Sequence, residues 1–291
     1  MPSLTLMKHL IREVISRKDA YRVPEPDLIM DGAEQVSAFH EAGADTGVMA
    51  PVYLYHAAQI CEVIKPGETV LDLGCGPANQ LGLVARLNPD VRFVGVDLSD
   101  EMLLRARRNL ELAGVGNVEL MHADITDLRG FSPSSVDAVM STVVLHHLPD
   151  EAALFRCFQE VQRVLRPGGG LYLVDFGHLR TEAAIRYFAY QYEASQPRLF
   201  TIDYLNSLRA AFEVSTWRDG HARHLSGLGQ FYSTFIVPYM VAIRSGSRRQ
   251  LPEPLIARLR ERRAALSENQ ARDLSDLITF FRLGGLAVSG F

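Results

Sequence analysis

From residue 69 onward the chain alternates short β-branched runs with longer stretches whose apolar positions recur every three or four residues. That alternation marks a parallel sheet with helical crossovers, because parallel strands cannot be joined by tight hairpins. The strand runs are Thr69–Leu73, Val91–Val96, Val118–His122, Val136–Ser141 and Gly170–Phe176. Helical periods lie near Ala78–Leu87, Asp100–Ala113 and Glu151–Leu165. The last is the cleanest. Leu154, Cys157, Phe158, Val161, Val164 and Leu165 share one face, with Pro149-Asp150 at the start and Pro167-Gly168 at the end.

Past Phe176 the pattern loosens. Thr181–Ala194, rich in aromatics, and Ile202–Phe212 read as helices. Glu213–Trp217 and Phe231–Ile243 read as β runs, expected to pair antiparallel at a sheet edge where Pro238 is tolerable. Residues 246–254 read as a linker, and Ser267 with Gln270 gives a capping-box signal opening a helix over Glu268–Arg282. The expected organisation is an N-terminal helical cap (1–60), an α/β domain (61–245) and a C-terminal helical extension packed on it (246–291). The fold class is α/β, a Rossmann-like sheet, mostly parallel with an antiparallel edge strand and extra helices at both ends.

Composition narrows the function classes. At 291 residues and 47% apolar content the chain is long enough for a well-buried core. Lys and Arg number 30 against 34 Asp and Glu, a net charge of −4 that offers no overall field for nucleic acid. The clusters Arg105, Arg107, Arg108 and Arg258, Arg260, Arg262, Arg263 lie on helical patterns and read as solvated faces. No apolar run reaches the ~20 residues of a membrane span. Met1–Arg12 lacks the long apolar core of a secretory signal. Cys61, Cys75 and Cys157 cannot all pair and show no metal-ligand spacing, so no metal is expected and a reducing cytoplasm suits the chain.

Candidate chemistry begins at Val70-Leu71-Asp72-Leu73-Gly74-Cys75-Gly76-Pro77-Ala78, a buried strand running through a tight glycine turn into a helix. Such glycines let backbone approach a ligand, and free N–H groups at a helix start can meet a polar group. Alone the turn is common to many nucleotide-binding folds. Asp97 ends the next strand 21 residues after Gly76, where a carboxylate can hold both ribose hydroxyls or simply cap the following helix.

Together these segments resemble the class I S-adenosylmethionine (SAM)-dependent methyltransferases, in particular the quinone-biosynthesis type and related small-molecule enzymes. Three further segments carry the likeness: His122-Ala123-Asp124-Ile125, Val136–Ser141 with Leu145-His146-His147-Leu148, and Arg163–Gly169 before the fifth strand. The resemblance covers roughly residues 35–245. It implies SAM as cofactor, with Asp72, Gly74, Cys75 and Gly76 around its methionine end and Asp97 on the ribose. Met102, Asp124 and Ile125 would meet the adenine, with Leu98 and Ser141 also in the site. Ala78 stands where the family has a third glycine, so a slightly altered turn is expected. Dinucleotide dehydrogenases are the rival for such a turn, but they favour glycine where Asn79 stands and give no reason for Leu-His-His-Leu.

His146 and His147 are the candidates for a general base, or alternatively for packing beside the cofactor. Tyr53, Tyr55 and His56 in the N-terminal segment, with Tyr187 and Tyr190 in the aromatic stretch, are the candidate substrate contacts. If Tyr187, Phe188, Tyr190 and Tyr192 converge with Phe231, Tyr232, Phe235 and Tyr239, they could hold an apolar ring or a cation. Methyl transfer to a small molecule is the leading expectation. A protein acceptor and a catalytically silent SAM-binding protein are the alternatives, and Leu277–Leu286 is a candidate homodimer surface.

Overall fold

The computed structural model describes residues 4–26, 32–44 and 46–291. Three helices come first: α1 (Leu4–Ile15), α2 (Ala33–Ala42) and α3 (Ala50–Val63). The core alternates β1 (Thr69–Leu73), α4 (Asn79–Leu87), β2 (Arg92–Asp97), α5 (Asp100–Leu112), β3 (Val118–His122) and β4 (Val136–Thr142). A short 3-10 turn, Leu145–His147, leads to α6 (Glu151–Val164) and the long β5 (Leu165–Phe176). Then follow α7 (Glu182–Tyr190), α8 (Arg198–Ala210), α9 (Val214–Gly220), β6 (Gln230–Ser233), β7 (Met240–Arg244), α10 (Glu253–Ala264) and α11 (Glu268–Leu283).

The strands form one sheet in the order β3-β2-β1-β4-β5-β7-β6. Strands β1 to β5 pair in parallel, while β7 runs antiparallel to both β5 and β6. Strand order reverses between β1 and β4, so a crevice opens at their carboxyl ends, where open α/β sheets bind ligands. Alternation along the strands divides the core. Val70, Phe93, Met140, Tyr172 and Val174 join one apolar cluster with α3, α4 and α11. Leu71, Leu73, Val94, Val139 and Leu173 join the other, beneath α6.

Two readings after Phe176 are corrected. Residues 214–220 form α9 instead of a strand, because Trp217 must reach Phe158 across the cluster beneath α6, ring centroids 5.6 Å apart. Its fully buried indole removes about 200 Å² from water, worth roughly 5 kcal/mol. Strand propensity differs among residues by only about 1 kcal/mol, so packing wins. The antiparallel pair comes from the second run alone, one residue longer at each end: β6 and β7 flank a loop that contains Pro238 and places Ile236 at φ 67°. The aromatic helix stops at Tyr190, and α10 starts inside the expected linker, at Glu253. The capping box forms between Ser267 and Gln270. Within Leu277–Leu286, the side chains Leu277, Phe280, Phe281 and Leu286 are buried in the chain's own core.

Candidate functional site

β1 delivers the chain into a left-handed turn: Gly74 has φ 68°, Gly76 φ 52° and Ala78 φ 61° before α4 begins. At Gly74 a side chain would force a shift, since a Cβ would stand 2.4 Å from Val144 Cγ2. Ala78 keeps the left-handed conformation expected of a glycine at a steric cost of about 1–2 kcal/mol. Val143, just past β4, also has positive φ (57°), and for a β-branched residue that is a strained conformation at the rim of the crevice.

Two acids meet this turn. Asp97 accepts from Gly76 N at 2.8 Å and from Ser99 N at 2.9 Å, bracing the turn with one oxygen and the start of α5 with the other. Asp72 is buried, and desolvation together with the nearby Asp97 charge holds its carboxyl well above the usual range. After β3, Asp124 Oδ1 accepts from the backbone and hydroxyl of Thr126 at 2.7 and 2.8 Å. These acids border one cleft of about 300 Å³, with Gly74, Cys75, Gly76, Leu98, Met102 and Ile125 on its walls. The volume is at the lower end for small-molecule sites. Bare backbone at Gly76, the Asp97 carboxylate and the Asp72 carboxyl, which a cation beside it would ionise, fit a ligand carrying cationic groups and a diol, as SAM does.

The N-terminal helices close over the cleft. Phe39 of α2 and Tyr53 of α3 line it, and burial pushes the Tyr53 phenol up. His40 ties α2 down: its Nδ1 lies 2.8 Å from Asn79 Oδ1, and its carbonyl accepts from Asn79 Nδ2 at 2.9 Å. Asn109 of α5 joins by donating to Pro77 O at 2.7 Å.

On the opposite wall stands the histidine pair. His147 lines the cleft, and burial plus the neighbouring His146 ring push its pKa down to about 3. His146 lies behind it, 2% exposed, with its ring centroid 4.4 Å away. Asp175, near the end of β5, accepts from both His146 N and His146 Nδ1 at 2.8 Å. From outside, Arg22 donates to the carbonyls of Leu148 (2.6 Å), Pro149 (2.8 Å), His146 (3.3 Å) and Ala210 (2.8 Å).

Of the residues singled out in the sequence, ten of the twelve cofactor and histidine candidates border this cleft: Asp72, Gly74, Cys75, Gly76, Asp97, Leu98, Met102, Asp124, Ile125 and His147. His146 stands one layer back. Ser141 does not reach it; its hydroxyl donates to Leu73 O at 3.0 Å and ties β4 to β1. Among the substrate candidates only Tyr53 faces the cleft. Tyr55 stacks on Phe281 (5.2 Å) and His56 Nδ1 meets Tyr172 OH at 2.7 Å, both in the core between α3 and α11. Tyr187 stacks on His9 (4.1 Å), while Tyr190 lies under Arg186. The aromatic convergence is partial. Phe188, Tyr192 and Tyr239 meet Phe176, Phe200 and Tyr204 around a second cavity of about 130 Å³, whereas Phe231, Tyr232 and Phe235 lie outside it. Asp175, Arg22 and Asn79 escaped the sequence reading, because each acts through backbone or side-chain partners distant in the chain.

Residues 70–169 match the methyltransferase-domain family. Over this segment the chain is similar to methyltransferase domains. The chain is 45% identical over 104 residues to the trans-aconitate 2-methyltransferase of Azoarcus sp., covering 35% of this chain and 37% of that protein. It is 34% identical over 113 residues to the demethylmenaquinone methyltransferase of Listeria welshimeri, covering 38% of this chain and 46% of that one. The chain thus spans less than half the length of these curated relatives. In fold it is similar to a SAM-dependent methyltransferase from Aquifex aeolicus, with a TM-score of 0.52 at 14% identity over 74% of this chain and 98% of that one. Among the described residues no helix is long and apolar enough to cross a membrane.

Proposed function

We propose that the protein transfers the methyl group of SAM to a small-molecule acceptor and releases S-adenosylhomocysteine. The observation that carries this reading is the convergence of the glycine turn, Asp72, Asp97 and Asp124 on one cleft beneath the cap of α2 and α3. In this reading Asp97 holds the ribose hydroxyls, Asp124 and Ile125 meet the adenine, and Asp72 with the bare backbone at Gly76 faces the methionine end. When bound, SAM supplies an electrophilic methyl carbon on a sulfonium. The acceptor's lone pair forms the new bond as the carbon–sulfur pair returns to sulfur. The chain's contribution is to align the acceptor and exclude water, which supplies much of the acceleration.

A small acceptor is favoured by the second cavity. Its aromatic wall adjoins the cleft through the ring contacts Phe39–Phe200 (6.2 Å) and His146–Phe176 (5.4 Å). Residues 1–60 then act as a cap and residues 246–291 as an extension that completes the core behind it. The two relatives named above act on small molecules by their names, which supports the same reading.

Incubation of the protein with methyl-labelled SAM and a fractionated small-molecule extract tests this, with mass spectrometry following the label. A labelled metabolite is the expected result. Label on protein would replace the reading with a macromolecular acceptor, and tight SAM binding without turnover in any fraction would leave a binding protein.

A further inference from the structure

The wall of the cleft formed by the histidine pair carries a donor set to which the proposed function assigns no role. A ring nitrogen of His146, a ring nitrogen of His147 and a carboxylate oxygen of Glu25 lie within 4.8 Å of one another. The sequence hides this cluster, because Glu25 stands 121 positions before His146. Arg22 brings it together by fastening its segment to the carbonyls of His146, Leu148 and Pro149.

The geometry points to a divalent transition-metal site, of the zinc type, formed by Glu25, His146 and His147 on the edge of the SAM cleft. Three observations support it. First, His146 Nδ1 is held by the fully buried carboxylate of Asp175 at 2.8 Å, and the same carboxylate accepts from His146 N. A carboxylate behind a histidine in this way fixes ring orientation and raises the basicity of the distal nitrogen, the usual support of a metal-bound histidine. Second, that distal Nε2 is buried and has no hydrogen-bond partner among the described residues. A buried polar atom left unpaired costs about 1–3 kcal/mol, so its lone pair calls for a ligand. Third, two imidazoles and one carboxylate form the donor set of open, three-ligand zinc sites, and one of the three, His147, lines the cleft.

Size and charge agree. Donors at about 2.0–2.2 Å from a tetrahedral ion stand about 3.4 Å apart, so the separations here close by a little over 1 Å at most. Glu25 is half-buried, on an irregular segment, and its Oε1 is steadied by Ser207 Oγ at 2.9 Å. The nearby Arg22 guanidinium opposes a cation, but its donors are turned to backbone carbonyls and its single charge stands against the carboxylates of Glu25 and Asp175.

Cobalt(II) is the suitable probe, added to the full chain after chelator treatment and followed by its visible absorption, with zinc content measured separately after desalting. One equivalent per chain with a tetrahedral spectrum is expected. Glu25→Gln and His147→Ala should each weaken binding at least about 10-fold, and Asp175→Asn by about 10–100-fold through the loss of its hold on His146. Thermal melts of each variant without metal identify any that fail to fold, and Glu25→Gln, changed on a partly exposed segment, keeps the comparison intact. No stoichiometric binding, binding unchanged in Glu25→Gln, or a cobalt–thiolate charge-transfer band would each overturn the proposal. The readout is metal binding alone, so it stands or falls separately from methyl transfer.

Discussion

Asp97 Oδ2 stands 2.8 Å from the backbone nitrogen of Gly76, so the acid that ends β2 props the glycine turn that ends β1. The same carboxylate holds Ser99 N at the start of α5. One side chain thereby sets the relative position of two strand ends that both face the cleft.

Replacing Asp97 with Ala removes both bonds and the carboxylate offered to the ribose. SAM affinity should fall more than about 100-fold, some 2.7 kcal/mol, in isothermal titration. A change of only a few-fold would remove Asp97 from the cofactor site.

At Gly74 two penalties coincide, a Cβ overlapping Val144 and a φ of 68°. Gly74→Ala should cost about 3 kcal/mol of stability in urea denaturation, of which the backbone conformation accounts for about 1–2. Adding Val144→Ala should recover the steric part alone. Equal loss with and without the second change would show that the packing against Val144 is irrelevant.

Ala78 offers the opposite case. Its φ of 61° and ψ of 27° strain an alanine, so Ala78→Gly should stabilise the chain by about 0.5–1 kcal/mol after the entropy of the added glycine is subtracted. A lower melting temperature would mean that the methyl group packs better than its backbone suffers.

His56 makes stability depend on pH. Burial pushes its pKa down to about 3, far below the ordinary value near 6.5 of the unfolded chain. The unfolded state therefore binds a proton that the folded state refuses. This penalty is absent well above pH 6.5, grows as pH falls below it, and levels off only beneath pH 3. Between pH 7 and pH 5 the stability gap between wild type and His56→Gln should narrow by about 2 kcal/mol. Parallel pH profiles for the two proteins would refute the assignment.

The sheet was legible because its strands are short apolar runs between helical periods, and Ser267 with Gln270 announced α11 through a local hydrogen-bond exchange. Residues near Trp217 misled because Val214, Thr216 and Trp217 favour strands locally, while the indole's burial against Phe158 is a tertiary fact. At the site, Asp72, Asp97 and Asp124 could be found because each lies at or just past the carboxyl end of a strand. Asp175 could also have been found as the acid closing the last parallel strand. Arg22 and Glu25 could not, since their significance depends on where an irregular segment crosses a distant turn.

The clasp made by Arg22 touches only main-chain oxygens of the turn, those of His146, Leu148 and Pro149. Carbonyls are the same whatever side chain they belong to. The fastening is therefore blind to the identity of residues 148 and 149, which border the cleft. A change of side chain there removes no acceptor from the clasp, and at Leu148 it is the core beneath α6 that limits the choice.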